Sequence, residues 1–213
     1  MKAPTDETYT AFQRAYEFFN RELYNGELPD CLITLQRRKR SCGYFSPQKF
    51  RHIHQGIVTD EIAMNPAFFM EHGEIEILQT LVHEMAHLWQ AHFGKPSRGG
   101  YHNKEWAAKM ESLGLMPSDT GEEGGKKTGQ SMSDYPIQGG DFLAACGKLL
   151  ATGFHIPWGD VPDEKTEASQ GGNGSNRLKY TCPGCGSNIW GKPKLNVVCG
   201  DCMQHFECEE LES

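Results

Sequence analysis

Residues 80–93 read TLVHEMAHLWQAHF and place His83, Glu84 and His87 within five positions. Residues four apart on an α-helix differ by only about 40° in direction. His83 and His87 therefore project from one face, one turn apart, and can grip one ion. Glu84 is turned by about 100° and reaches past the ion toward water. A zinc ion held there would supply a Lewis acid. Glu84 would take a proton from water and return it to a leaving amine, the chemistry of amide hydrolysis. With nine His in 213 residues, about 0.03 chance occurrences of HExxH are expected. The bland reading is a polar-faced surface helix. Ile75, Leu78, Val82, Met85 and Trp89 speak against it, because they form an apolar stripe over 74–93.

Zinc needs a third protein ligand. His92 follows His87 by five residues, about 140° around the helix, and faces away. It reads as a solvated residue near the helix C-terminus. The longer HExxHxxGxxH pattern is absent, since Gln90 and Phe93 occupy its Gly and His positions. Beyond the glycine-bearing stretch 94–100, His102 opens a second helix and is the candidate ligand. Glu105, one turn further on, is the carboxylate rival. Trp106 is placed to pack on the first helix.

A second set of metal-ligating residues lies near the C-terminus. Cys182-Pro-Gly-Cys185 and Cys199-Gly-Asp-Cys202 are two CxxC knuckles. Four thiolates close a tetrahedral structural zinc site and would hold a module with almost no apolar core. His205 or Cys208 could stand in for Cys202, but the symmetry of the pairs favours the four. The cofactor expectation is two zinc ions, one catalytic and one structural.

The elements that must position these groups follow from periodicity and punctuation. Residues 8–24 form a helix stopped at Asn25-Gly26. Residues 31–36 read as a strand, and RRKRSCGYFSPQKFRHI reads as a hairpin turning near Cys42-Gly43. Residues 56–65 are a further strand. TDEIAMN within it is the expected sheet edge onto which a substrate strand would add. Residues 117–140 read as a long polar loop, 141–154 as a helix and 155–158 as a short extended piece. The fold class expected is α+β, a zincin-like domain plus a small β zinc ribbon. Its divisions are 1–117 catalytic, 118–158 a packed extension, 159–177 a flexible linker and 178–213 the ribbon with an acidic tail.

The sequence also resembles the SprT-like metallopeptidases. The resemblance rests on HEMAHLWQ, on YHNKEWAAKMESLGL, on YEFFNRELYNGELPDCLITLQ and on EIAMNP, and it covers roughly residues 8–117 before resuming at the cysteines. It implies zinc on His83, His87 and His102, with Glu84 as catalytic base. Asn103 stands where that family often has Gly. The family includes Spartan-type proteases acting on proteins crosslinked to DNA. It also implies that the ribbon contacts nucleic acid or a partner.

Charge separates the function classes. The net charge of −7 argues against coating nucleic acid by bulk attraction. Locally, Arg37, Arg38, Lys39, Arg40, Lys49 and Arg51 form an acid-free basic stretch with aromatics, a candidate contact for DNA, single strands especially. The same stretch could equally be a charged edge that blocks aggregation. The N-terminal residues show no apolar signal region. The expectation is a cytoplasmic monomer, nucleoid-associated if bacterial, with protein substrates and no membrane partner. The competing reading is a nucleic-acid-binding regulator whose zinc is structural.

Overall fold

The computed structural model describes residues 3–39, 41–161 and 178–208. They fall into two compact units, residues 1–161 and 162–213. Arg40 and most of the expected linker lie outside the described residues. Helix and sheet are mixed, so the α+β class holds. No helix among the described residues is long and apolar enough to cross a membrane.

The first unit is built around two helices. Helix α1 (Pro4–Tyr24) starts with Pro at its first turn and ends at Asn25, whose φ of 56° closes the helix in the left-handed conformation. Helix α3 (Glu74–Phe93) has the bounds its periodicity predicts. Its buried face is Ile77, Leu78, Leu81, Val82, Met85, Ala86 and Leu88. Ile75 leaves the expected stripe and is exposed. Each large buried side chain stabilises the fold by about 1.5–3 kcal/mol. Summed along α3, that is enough to hold Glu84 and two histidines in a partly dry setting. Phe12, Tyr16 and Phe19 of α1 share this core with Phe142 and Leu149 of α5 (Asp141–Leu150). The extension beyond residue 118 therefore belongs to the same unit as α3.

The sheet corrects two expectations. Its strands are β1 (Leu32–Leu35), β2 (Gly43–Arg51) and β3 (Val58–Met64), in the order β1-β3-β2. β3 lies parallel to β1 and antiparallel to β2. Cys42-Gly43 is thus the entry into β2 and not a hairpin turn. The reversal occurs at 52–57, where His52 donates its backbone N–H to Ile57 at 2.7 Å. TDEIAMN is the central strand, not the edge. It pairs along both edges, with β1 and with β2, and its faces are covered as well: Ile62 and Met64 on one, Glu61 and Ala63 on the other, all about 1% exposed or less. β2, carrying Lys49 and Arg51, takes the edge.

A four-residue helix α2 (Pro66–Phe69) follows β3, capped by the Asn65 side chain. Helix α4 (Lys104–Ser112) begins at Asn103, whose side chain accepts from the backbone N–H of Trp106 at 3.0 Å. The expected long loop is not structureless. β4 (Leu115–Ser118) and β5 (Ser133–Pro136) pair antiparallel, with Pro117 opposite Asp134. No periodic apolar signal marks these short strands, which is why a composition reading misses them. The residues expected as a short extended piece after α5 form no strand.

The second unit is a three-stranded ribbon of β6 (Leu178–Thr181), β7 (Asn188–Gly191) and β8 (Glu207–Cys208), in the order β7-β6-β8.

At Gly43, β2 passes close against α3. A Cβ there would lie 2.9 Å from the Ala63 carbonyl oxygen and 2.9 Å from Thr80 Cγ2, with Glu84 Cγ at 3.4 Å. Gly43→Ala is therefore expected to push β2 off the helix and lower stability by about 1–3 kcal/mol. The denaturant midpoint of the first unit measures this. An unchanged midpoint would mean that the strand yields without cost.

Candidate metal centre

His83 and His87 leave the same face of α3, and the chain must return to bring a third group to them. Residues 94–101 make that return. Gly99 and Gly100 have φ of 59° and 73°, left-handed values that suit glycine. The turn is stapled by polar groups. Gln90, 2% exposed, donates to Asn103 Oδ1 and Glu105 Oε2, both at 2.8 Å. Glu105 Oε2 also accepts the Lys95 backbone N–H at 2.6 Å. These contacts, led by the Lys95 amide, hold the Glu105 carboxyl below the usual carboxylate range. Glu105 is thereby occupied away from the histidines. Asn103, the departure from the usual Gly, donates to Lys95 O and Ser97 Oγ at 3.0 Å each and so ties down the same turn.

His102 is delivered to the α3 face. One ring nitrogen from each of His83, His87 and His102 lies within 4.8 Å of the others. Nε2 of His87 and Nε2 of His102 are 3.0 Å apart. Trp106, fully buried, backs all three rings: it stacks on His87 at 5.2 Å and meets His102 and His83 edge-on at 4.4 and 4.9 Å. Burial, then the charges of His83 and His102, push the His87 imidazole down to about 2. Burial and His83 push His102 down to about 4. Both rings are therefore neutral at physiological pH, the state in which imidazole ligates a metal. For His83, burial pulls the same way but is outweighed by the Asp134 hydrogen bond and the charges of Glu84 and Asp134, so its pKa stands above the ordinary value. That environment favours a cation at the ring, whether a proton or a metal ion.

The opposite ring atoms set the tautomers. His83 Nδ1 lies 2.7 Å from Asp134 Oδ1, and His102 Nδ1 lies 3.3 Å from the Gly129 carbonyl oxygen. An N–H pointing at each oxygen leaves the Nε2 lone pairs free. Three convergent imidazoles, two held neutral by burial and the third turned by its Nδ1 toward Asp134, are a fitting donor set for zinc. Glu84, beside them, is 6% exposed. Burial raises its carboxyl to about 7, with Asp134 adding, His83 opposing and the Phe45 backbone N–H opposing. A cavity of about 1310 Å³ opens over the cluster, walled by Tyr44 and Phe45 of β2, Tyr101, Met132 and Tyr135.

Asp134 is the site residue that sequence reasoning misses. It sits in the stretch that reads as a polar loop, with no motif around it. His92 also departs from expectation: it is not simply solvated, because its Nε2 lies 2.6 Å from Oδ2 of the buried Asp60. Asp60 Oδ1 in turn accepts the Gln48 backbone N–H at 2.7 Å, tying the α3 C-terminus to the irregular part of β2.

Five of the six basic residues are described, and they lie at different points along the chain around β2. Arg37 makes a two-pronged ion pair with Asp160, at 2.6 and 2.8 Å. Arg38 lies over the Tyr44 ring at the cleft rim. Lys39 is exposed on the β1–β2 connection, while Lys49 and Arg51 sit near the other end of β2.

In the ribbon, Cys182, Cys185, Cys199 and Cys202 form a second group with sulfur atoms within 4.8 Å. Cys208 pairs on β8, and His205 Nδ1 faces Asn196 Oδ1 at 2.8 Å, so neither belongs to the group. The two knuckles repeat the same bonds. Gly186 donates to Cys182 O and Met203 donates to Cys199 O, both at 2.8 Å. Ser187 side-chain and backbone contacts lower the Cys185 thiol to about 6, which favours the thiolate.

A family model described as SprT-like matches residues 10–123. Over 59 residues the chain is 56% identical to a Salmonella typhimurium protein described as "Uncharacterized protein in mucB 3'region", covering 28% of this chain and 80% of that one. Protein SprT of Shigella dysenteriae serotype 1 is 34% identical over 89 residues, 38% of this chain and 51% of that protein. Protein SprT of Escherichia coli O1:K1 is 40% identical over 60 residues, 27% and 34% respectively. The chain spans about half or less of the SprT proteins it matches.

The knuckle repeat has one blemish. Gly186 has φ of 72°, and its counterpart Met203 adopts φ of 57° with a side chain that is mostly exposed. Met203→Gly is expected to relieve the strain and stabilise the ribbon by roughly 0.5–1 kcal/mol. Slower release of its metal to a chelator is the readout; faster release would contradict the argument.

Proposed function

Because its match to the family spans more than half of its length, the chain belongs to the SprT-like family, and from that premise we propose that it is a zinc-dependent endopeptidase of zincin-like architecture. One observation carries the reading. A buried carboxyl raised to about 7 lies on the same helix as two neutral or cation-seeking imidazoles, at the floor of an open cleft. His83, His87 and His102 would hold the ion, which when bound supplies Lewis acidity toward a carbonyl oxygen. Glu84 takes a proton from the attacking water. It then carries that proton to the amide nitrogen as the C–N bond breaks. A group near pKa 7 can do both at neutral pH. Trp106 and the surrounding core keep solvent from the rear of the imidazoles. The four cysteines hold a second, structural zinc in the ribbon. A regulator with purely structural zinc would have no use for Glu84 at this position.

The substrate lies along β2. Among the described residues β2 pairs only with β3, so its outer edge is open, and Gly43–Phe45 lines the cleft. An extended peptide adding to that edge is held by main-chain hydrogen bonds. Cleavage should therefore show weak side-chain preference in peptide profiling, and a sharp consensus would speak against this mode of binding.

DNA-bound proteins are the proposed substrate class. Arg38, Lys39, Lys49 and Arg51 supply the positive charge; Arg37 contributes less, because Asp160 neutralises it. Glu84→Gln is expected to lower cleavage of a DNA-bound protein by roughly 10²–10⁴-fold while fold and metal content stay unchanged. The assay is run with and without single-stranded DNA. Equal cleavage by wild type and variant would sink the protease reading, and indifference to DNA would sink the substrate class alone.

A further inference from the structure

The two oxygen acceptors that face Nδ1 of His83 and Nδ1 of His102 come from one place. Asp134 is on β5, and Gly129 is in the loop that leads to it. Both lie beyond residue 123, where the family match ends. We propose that the β4–β5 segment, residues 115–136, orients the three-histidine cluster for a metal ion, with Asp134 as the positioning residue for His83. The proposal rests on reading that cluster as a zinc site.

The segment is stitched to the site at three points. Gln79 donates its side-chain amide to the Asp134 backbone oxygen at 2.7 Å. Gln79 and His83 stand one turn apart on α3, so the helix grips Asp134 twice, by backbone and by carboxylate. His102 and Gly129 form a bridge with both backbone hydrogen bonds made, at 2.8 and 3.1 Å. Gln130 donates to the Gly99 carbonyl at 2.6 Å, locking the loop to the turn that delivers His102. One segment therefore fixes the ring orientation of a ligand on α3 and of another just before α4.

Asp134 is also poorly suited to a purely structural role. It is 7% exposed, and its Oδ2 is buried with no hydrogen-bond partner among the described residues. A buried carboxylate left half unsatisfied costs stability. An asparagine could accept the His83 N–H without bringing a charge. What the charge adds is electron density on the imidazole and compensation for a bound cation. The segment thus gives up stability in the metal-free protein and recovers it when the ion binds.

The experiment compares the full-length chain with Asp134→Ala, Asp134→Asn and His87→Ala. Zinc affinity is read by competition with a chromophoric chelator, and the melting temperature is read for chain stripped of the histidine-site ion. His87→Ala is expected to lose one zinc per chain. Asp134→Ala should bind that zinc about 10–100-fold more weakly. Asp134→Asn should lose less, because an oxygen acceptor remains, and its stripped chain should melt no lower than wild type. Ribbon zinc should be unaffected throughout. If His87→Ala loses its zinc while both Asp134 variants keep wild-type affinity, the positioning role is wrong. It is equally wrong if Asp134→Asn melts lower with unchanged affinity, since Asp134 would then be structural. If His87→Ala keeps all its zinc, the zinc-site reading itself falls, and this proposal falls with it.

Discussion

Three imidazole rings are pointed at one place and two of them are held neutral, and most of the first unit serves those two ends. Neutrality comes from burial, which depresses His87 and His102 far below their ordinary range. Direction comes from contacts at the far ring atoms and from Trp106, which touches all three rings. Neither would exist without the apolar face of α3 anchoring the helix against α1 and the sheet. The cost of drying two histidines and a glutamate is several kcal/mol. It is tolerable only because a run of large apolar side chains on the same helix is buried at the same time.

The same burial that lowers two of the imidazoles raises Glu84, which would suit it to the proposed role of base. A carboxyl in water would be ionised and weak at neutral pH; here it is raised to about 7. Its environment is set by β2, whose Gly43 lets the strand approach Glu84 closely and whose Phe45 amide bonds toward it. The strand that tunes the base also walls the cleft and offers the open sheet edge. In the proposed reaction, base strength and substrate placement would both follow from this one packing contact.

Some residues that look chemically available have been recruited elsewhere. Glu105 staples the Gly94–Ser97 turn, His92 is paired with Asp60, and Arg37 with Asp160. Each has the right type for catalysis, ligation or nucleic-acid contact, and each is absorbed by a contact elsewhere in the fold. Residue type sets what a side chain can do, and its neighbours decide which of those things it does.

Much of the site was legible from residue order because it depends on local geometry. The i, i+4 spacing of His83 and His87 on a helix, and the tight CxxC turns, follow from backbone dimensions that hold in any fold. The bounds of α3 and the return at the glycines follow from periodicity and turn chemistry. Tertiary structure decided the rest. β3 became the central strand because β1 and β2 pair along its two edges, a fact about its neighbours and not its own residues. Asp134 reached His83 from 51 positions away through two short strands with no apolar rhythm. Such pairings depend on how separate elements stack, and no window of sequence contains them.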